Sequence, residues 1–408
     1  MENKKFVKGF LLGVFMTAVI GLGVYLFVFP KASQYLKTGE GSSKQEAEKV
    51  DPDSLEAKAK IEALEYLIDK LYLDDVDKNA LTESMYAGMV EGLGDPYSHY
   101  YTKEEYEALQ ESTSGEFEGI GIIMQQDPDT GIITVARCYE NAPAANAGVL
   151  PGDAFYTVNG VQVTGMELSA VSDMIRKSES PVAHLVLVRE GNTDYVEVDV
   201  ERAVVEVPSV TYEMLDNKVG YIGIYEFTSV TPQQYADAFE DLKSQGIQKL
   251  VIDLRGNPGG LLTSVTSILE TMLPEGLIVY TEDKYGNRKE LTSDGESVLD
   301  LPLAVLVNEY SASASEIFAG AVQDYGIGTI VGTTTFGKGI VQSIQTLSDG
   351  SAVKLTIANY YTPKGRNIHG TGICPDVEVE LDEALKQKIA ITHEEDNQLQ
   401  KALEVLGE

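Results

Sequence analysis

Histidine is scarce in this chain, with four among 408 residues, and cysteine scarcer still at two. Cys138 and Cys374 lie far apart, and neither stands in a CxxC or Cys/His cluster, which argues against a zinc site. We expect two unpaired, buried thiols. Positive charge is also short: 31 Lys and Arg face 64 Asp and Glu, a formal net charge of −33. Such a surface disfavours nucleic-acid phosphates and anionic lipid as main partners. No nucleic acid, metal or cofactor is expected. The rest of the composition, 43% hydrophobic and 23% charged, is that of a globular protein with room for two or three domains.

The first 30 residues depart from that average. Lys4, Lys5 and Lys8 precede an uncharged run from Phe10 to Phe29, long enough to cross a hydrocarbon core of about 30 Å. The run exceeds the apolar region of about 7–15 residues in a cleaved signal peptide, and no A-x-A site follows it. The leading lysines favour a cytoplasmic N-terminus. Residues 1–30 therefore read as a cytoplasmic tail and uncleaved signal anchor. The membrane is crossed once by residues 10–29, and everything after Pro30 lies on the extracytoplasmic side.

Residues 31–54 are polar and read as a linker. Residues 55–111 are helical: Leu55, Ala59, Ala63, Leu67 and Leu71 recur every four residues, Gly94-Asp95-Pro96 stops a second helix, and Thr102 with Glu105 forms a capping box. In residues 112–203 the period changes to two, with short strands such as "GIGIIMQ" and "AHLVLVRE" and one helix, Met166 to Ser178, an α+β pattern. In residues 204–380 apolar strands alternate with helices, the pattern of a mixed α/β sheet. Thr231 is expected to cap one of these helices, with Pro232 opening it. Residues 381–408 form a charged helical tail.

Two stretches carry chemistry. "LVIDLRGNPGGLLTS" runs a strand into a Gly-rich turn and a helix, and the N–H groups of Gly259 and Gly260 could hold an oxyanion. No GKS or GKT follows, so it is not a phosphate loop. "NEYSASASEIFAG" repeats the strand–turn–helix geometry with Ser311, Ser313 and Ser315 at alternate positions. Ser313-x-x-Glu316 also fits a simple capping box, and the pattern does not single out one serine. For a base, His99, His184 and His393 lie in other regions, whereas His369 follows the α/β region closely. Lys338, in "FGKGIVQ" beside Phe336 and Ile340, is the other candidate. Partial desolvation would depress its pKa and free the neutral amine, and Gln342 could orient that amine without stabilising its charged form.

Together "GLGDPYSHY", "FEGIGI", "PAANAGVLPGDAFYTVNG", "DLRGNPGG", "SASASEIFAG", "FGKGIVQ" and "GTGICPDVEV" resemble, in order, the carboxyl-terminal processing peptidases, tail-specific serine proteases with a Ser/Lys dyad. The resemblance spans about residues 55 to 380. It implies a multidomain fold: the membrane anchor, the helical segment, a PDZ domain at 112–203, and an α/β serine peptidase core at 204–380. It implies Ser313 as nucleophile, Lys338 as general base, Gln342 as its support, and the N–H groups of Gly259 and Ala314 as the oxyanion hole. It further implies that Gly119, Ile120, Gly121 and Ile122 bind a substrate's terminal carboxylate, with Arg176 adding charge. Protein C-termini are then the substrates, and the helices around 55–110 and the C-terminal helix are homodimer contacts. The alternatives are a non-catalytic PDZ adaptor at the outer membrane face and a Ser/His hydrolase using His369.

Overall fold

The computed structural model describes residues 51–388 and 390–407. The expected anchor, residues 10–29, lies outside them. Among the described residues no helix is long and apolar enough to cross a membrane.

The chain divides into two units at Tyr86. In the first, α1 (Leu55–Leu71) starts at Ser54, whose hydroxyl accepts the Ala57 N–H at 3.1 Å. None of its residues is fully buried: of the apolar stripe read from the sequence, Ala59, Ala63 and Leu67 are half-buried, while Leu55 and Leu71, with Ile61 and Leu64 beside them, leave an open face. The next helix, α2 (Lys78–Glu91), brings Lys78 to 3.2 Å from Asp69 of α1.

The second unit begins at Ala87, within α2, and continues with β1 (His99–Tyr101) and α3 (Lys103–Ser114). The expected capping box forms: Thr102 N–H donates to Glu105 at 2.8 Å, and Glu105 N–H donates back to the Thr102 hydroxyl at 3.3 Å. A small module follows, built from β2 (Glu116–Gly119), β3 (Ile122–Gln126), β4 (Ile133–Cys138), α4 (Pro143–Asn146), β5 (Ala154–Val158), β6 (Val161–Gln162), α5 (Leu168–Arg176), β7 (Val182–Val188), β8 (Val196–Glu201) and β9 (Ala203–Glu206). Strands β3-β4-β5-β7-β8 make an antiparallel sheet, and β2 pairs with β9. The period of two in β7 does what it promised: Ala183, Leu185 and Leu187 point inward to a core shared with Val171 and Ile175 of α5.

The α/β region contains β10 (Val210–Leu215), β11 (Val219–Ile224), α6 (Thr231–Gln245), β12 (Lys249–Asp253), α7 (Leu262–Glu270), β13 (Gly276–Asp283), β14 (Arg288–Ser293), β15 (Leu303–Val307), α8 (Ala314–Tyr325), β16 (Thr329–Gly332), β17 (Ile340–Thr346), β18 (Ala352–Tyr361), β19 (Val377–Glu378) and α9 (Asn397–Val405). Its main sheet has the order β10-β11-β12-β15-β16-β19, parallel except for β10. Both faces are covered, as an unbroken apolar strand like β15 requires. Leu250, Ile252 and Val305 face Leu242, Ile268 and Phe318 of the helical layer. Val251, Ala304 and Leu306 face Leu399 and Ala402 of α9. A second sheet, β1-β18-β13-β14 with β17 on β18, stands beside the end of α8.

Three local expectations are corrected. Thr231 is the first residue of α6 and not its cap, because its hydroxyl accepts the Thr228 N–H at 2.8 Å and donates to the Glu226 carbonyl at 2.9 Å. The cysteines are unpaired, but Cys374 is exposed and Cys138 only half-buried. Within residues 381–408 the described helix is limited to Asn397–Val405.

Candidate active site

Two neighbouring parallel strands end at the same place. The chain after β12 turns through Arg255–Gly260 into α7, and the chain after β15 turns through Asn308–Ser313 into α8. The turns are laced together. Ala312 N–H and the Ser315 hydroxyl both donate to the Asn257 carbonyl, each at 3.0 Å, and the Ser311 hydroxyl donates to the Leu254 carbonyl at 2.8 Å. The alternating serines therefore differ. Ser311 and Ser315 are fully buried and hold the turns together, whereas Ser313 is partly exposed and its hydroxyl makes no capping bond to the helix.

Ser313 has φ 54° and ψ −111°, a backbone conformation costly for any residue with a Cβ. The turn is kept by bonds on both sides of it: Tyr360 donates its hydroxyl to the Ser313 carbonyl at 3.0 Å, and Ser313 N–H donates to Glu316 at 2.9 Å. Ser313→Gly is therefore expected to unfold at a higher temperature than Ser313→Ala, by about 1 kcal/mol of relieved strain. Equal thermal midpoints would show the turn to be unstrained.

Glu316 was read as a capping residue, and the fold uses it for more. It is fully buried. Its Oε2 accepts Ser313 N–H and, at 2.8 Å, Lys338 N–H; its Oε1 accepts Gly337 N–H at 2.7 Å and the Thr335 hydroxyl at 2.6 Å. One carboxylate oxygen thus binds the main chains of Ser313 and Lys338 together. The i, i+3 spacing to Ser313 was the visible signal; the partners at 335–338 were not visible.

The Lys338 side chain is half-buried, and burial pushes its pKa down, with the Lys354 charge adding to that; Glu316 and Asp95 pull the other way. Its Nζ lies 4.9 Å from the centre of the Tyr97 ring. No hydrogen bond joins Lys338 Nζ to the Ser313 hydroxyl among the described residues. Gln342 departs from its expected role, since its amide makes a long, 3.5 Å contact with the Thr356 hydroxyl of the paired strand and not with the amine.

The glycine pair also differs from expectation. Gly259 N–H donates to Asn257 Oδ1 at 2.8 Å, so it is committed within its own turn. What Gly259 provides is room. A Cβ there would lie 2.8 Å from Ser313 Cβ, 2.7 Å from the Ala312 carbonyl and 2.9 Å from Ala314 N. Ala314 N–H opens α8, one of the first-turn donors that a helix cannot satisfy internally, and a Cβ at 259 would press on it.

The histidines sit elsewhere or outside. His184 contacts Asp199 at 2.6 Å, His393 contacts Glu213 at 2.7 Å, and His99 stacks edge-on against Tyr101. His369 is exposed, though its main chain lies against Gly339. A further network was missed: Arg255 bridges Asp253 and Asp396, the latter at 2.7 Å, tying the N-terminus of α9 to the turn after β12. It joins residues remote in sequence, so no local pattern announces it.

A cavity of about 660 Å³ lies between the small module, α3 and the segment after β11, lined by Gly119, Gly121, Ile122, Arg176, Glu111 and Tyr225 among others. The Ile120 and Gly121 carbonyls accept Ala144 and Tyr139 N–H, each at 2.9 Å. In trans peptides the next N–H points the opposite way, so Gly121 and Ile122 turn theirs away from those bonds. Arg176 lines the same cavity and is ion-paired with Glu111 of α3. The predicted residues thus form two groups, Ser313, Ala314, Gly259 and Lys338 around the turns and Gly119–Ile122 with Arg176 at the cavity.

The profile of peptidase family S41 matches residues 218–379, a PDZ domain profile matches 134–189, and the N-terminal domain profile of the activating protease CtpB matches 19–105. A carboxyl-terminal-processing protease of Synechocystis is 36% identical over 322 residues, covering 78% of this chain and 75% of that one. A probable CtpA-like serine protease of Staphylococcus aureus is 34% identical over 383 residues, covering 93% and 73%. Among solved structures, a photosystem II D1 C-terminal processing protease is 32% identical with a TM-score of 0.46, covering 78% of this chain and 86% of that one.

Proposed function

Because this chain belongs to the carboxyl-terminal processing peptidases of family S41, serine peptidases with a PDZ domain, we propose that it recognises protein C-termini through the PDZ cavity and cuts near them with a Ser313/Lys338 dyad. The observation that carries this reading is the single Glu316 oxygen that binds the main chains of both residues, beside an amine whose pKa is depressed by burial. A lowered pKa makes the neutral amine easier to reach, which is what a base requires.

Ser313 Oγ attacks the scissile carbonyl carbon while its proton passes to Lys338 Nζ. The carbonyl oxygen gains the negative charge and is met by the Ala314 N–H, beside the space left by Gly259. The ammonium returns the proton to the leaving amine, and the C–N bond breaks. Water, deprotonated by Lys338, then releases the acid product and restores Ser313. The Ser–Lys hydrogen bond closes with substrate, as catalytic bonds in unliganded enzymes commonly do. In the PDZ cavity the Gly121 and Ile122 N–H groups take the terminal carboxylate, and Arg176 exchanges Glu111 for it. Residues 10–29 anchor the enzyme with its peptidase domain outside the cytoplasm, and the open face of α1 serves pairing with a second copy.

The test is cleavage of an unfolded polypeptide ending in an apolar residue by the full chain in detergent. Ser313→Ala and Lys338→Ala are each expected to lower kcat by about 10³-fold or more, and His369→Ala to cut normally. Cleavage by Ser313→Ala would remove it as the nucleophile. Tail binding with no cleavage by any form, the parent included, would favour the adaptor.

A further inference from the structure

The turn before β1 reaches the dyad from outside the peptidase sheet. Asp95 builds it: its carboxylate accepts the Tyr97 N–H at 3.1 Å and the Ser98 hydroxyl at 2.6 Å. The buried Ser98 hydroxyl in turn accepts the Thr356 N–H at 3.1 Å, which staples the turn to β18 opposite Gln342 of β17. The following residues pair with the same strand, His99 with Lys354 and Tyr101 with Ala352. Tyr97 is thereby fixed with little freedom, and its ring face lies 4.9 Å from Lys338 Nζ.

We propose that Tyr97 is a positioning residue for the reaction: its ring face seats the Lys338 amine and favours the positive charge that the amine acquires from Ser313. The inference rests on Lys338 being the base. In the resting enzyme the amine carries a lone pair and the ring contributes mainly by covering it. When the Ser313 O–H bond breaks, its proton joins that lone pair and Nζ becomes a cation above the negative face of the ring. The attraction is therefore larger in the transition state than before it, which is the condition for an interaction to raise kcat.

The groups facing the amine divide the task. Lys354 of β18 opposes a charge on Lys338, whereas Glu316 of α8 and Asp95 of the turn favour it. Lys354 is itself held over the Tyr101 ring, with Nζ 5.2 Å from the ring centre. Two tyrosines of one short segment, Tyr97 and Tyr101, thus each hold one of two mutually repelling lysines. The ring at 97 serves the base, and the ring at 101 retains the neighbour that opposes the charge on it.

The experiment compares Tyr97→Leu and Tyr97→Phe with the parent full chain in detergent, on a synthetic unfolded polypeptide ending in Val, across pH. The Leu side chain still covers the amine but has no π face. Tyr97→Leu is expected to lower kcat about 3- to 30-fold, the range of a cation–π contact, with KM within about twofold. The acidic limb of its kcat/KM profile should move to lower pH, because the ammonium has lost a stabilising partner. Tyr97→Phe, which restores the ring, should recover both. Sulfonylation of Ser313 by a small sulfonyl fluoride should follow the same order without any polypeptide. An unmoved limb, a limb moved to higher pH, or Phe and Leu variants equally impaired would each overturn the proposal. Full activity in Lys338→Ala would instead overturn the Ser/Lys reading, and the role of Tyr97 with it.

Discussion

Replacing Glu316 by Gln is expected to lower kcat by about 10²-fold or more, because a displacement of about 1 Å between reacting groups is enough for that loss. The carboxylate receives hydrogen bonds only: Ser313 N–H and Lys338 N–H on one oxygen, Gly337 N–H and the Thr335 hydroxyl on the other. An amide of the same shape can offer one oxygen. Its NH₂ must then face at least one fixed backbone donor in a fully buried site. Each bond to the charged group is worth about 1.5–3 kcal/mol, and a donor left without an acceptor costs about 1–3 kcal/mol. The other bond between the segments at that point, Phe336 N–H to the Ser311 carbonyl at 3.1 Å, lies on the far side of Ser313, so Ser313 and Lys338 should shift apart before the domain unfolds. The check is kcat together with the thermal midpoint. A variant that melts earlier yet turns over at the parent rate would mean that Glu316 serves stability alone.

Gly259→Ala is expected to be nearly as damaging, with Gly256→Ala as its control. Both glycines have positive φ, 106° and 74°, so both substitutions carry backbone strain of about 1–3 kcal/mol. They differ in surroundings. The Cβ at 256 meets nothing within 4 Å, while that at 259 meets the Ala312 carbonyl, Ser313 Cβ and Ala314 N, all under 3.0 Å. These atoms belong to a turn hydrogen-bonded on several sides, so the clash moves Ser313 and covers the Ala314 N–H. We expect kcat to fall about 10²-fold or more for Gly259→Ala and to stay within about threefold of the parent for Gly256→Ala, which loses only stability. Similar losses in both would assign the effect to backbone strain, and an active Gly259→Ala would remove the oxyanion site from this place.

The elements themselves were legible, because their causes are local. The period of two in β7, the unbroken apolar run of β15 and the capping box of α3 each describe contacts within a few residues, and each element formed where it was read. The boundary of α6 was misread by one residue because the Thr231 hydroxyl is taken by the Thr228 N–H just before it and by the Ser209 hydroxyl, remote in sequence and 2.8 Å away. The candidate site was legible in part, as a list of residue types at strand ends.

The order of modules, the strand-to-helix turns that carry Ser313 and Gly259, and the residues that resemblance to the family singles out could all be read from the chain before it folds. Those are properties of short windows of chain. Which serine of Ser311, Ser313 and Ser315 stays partly exposed was settled by the packing, since the other two are buried and donate to carbonyls 57 and 58 residues away. The packing also decided that Glu316 joins Ser313 to Lys338, that Gly259 contributes space while Asn257 takes its N–H, and that Tyr97 lies over the Lys338 amine. A hydrogen bond or ring contact depends on where two distant segments meet, and that position is set by the packing of the sheets between them.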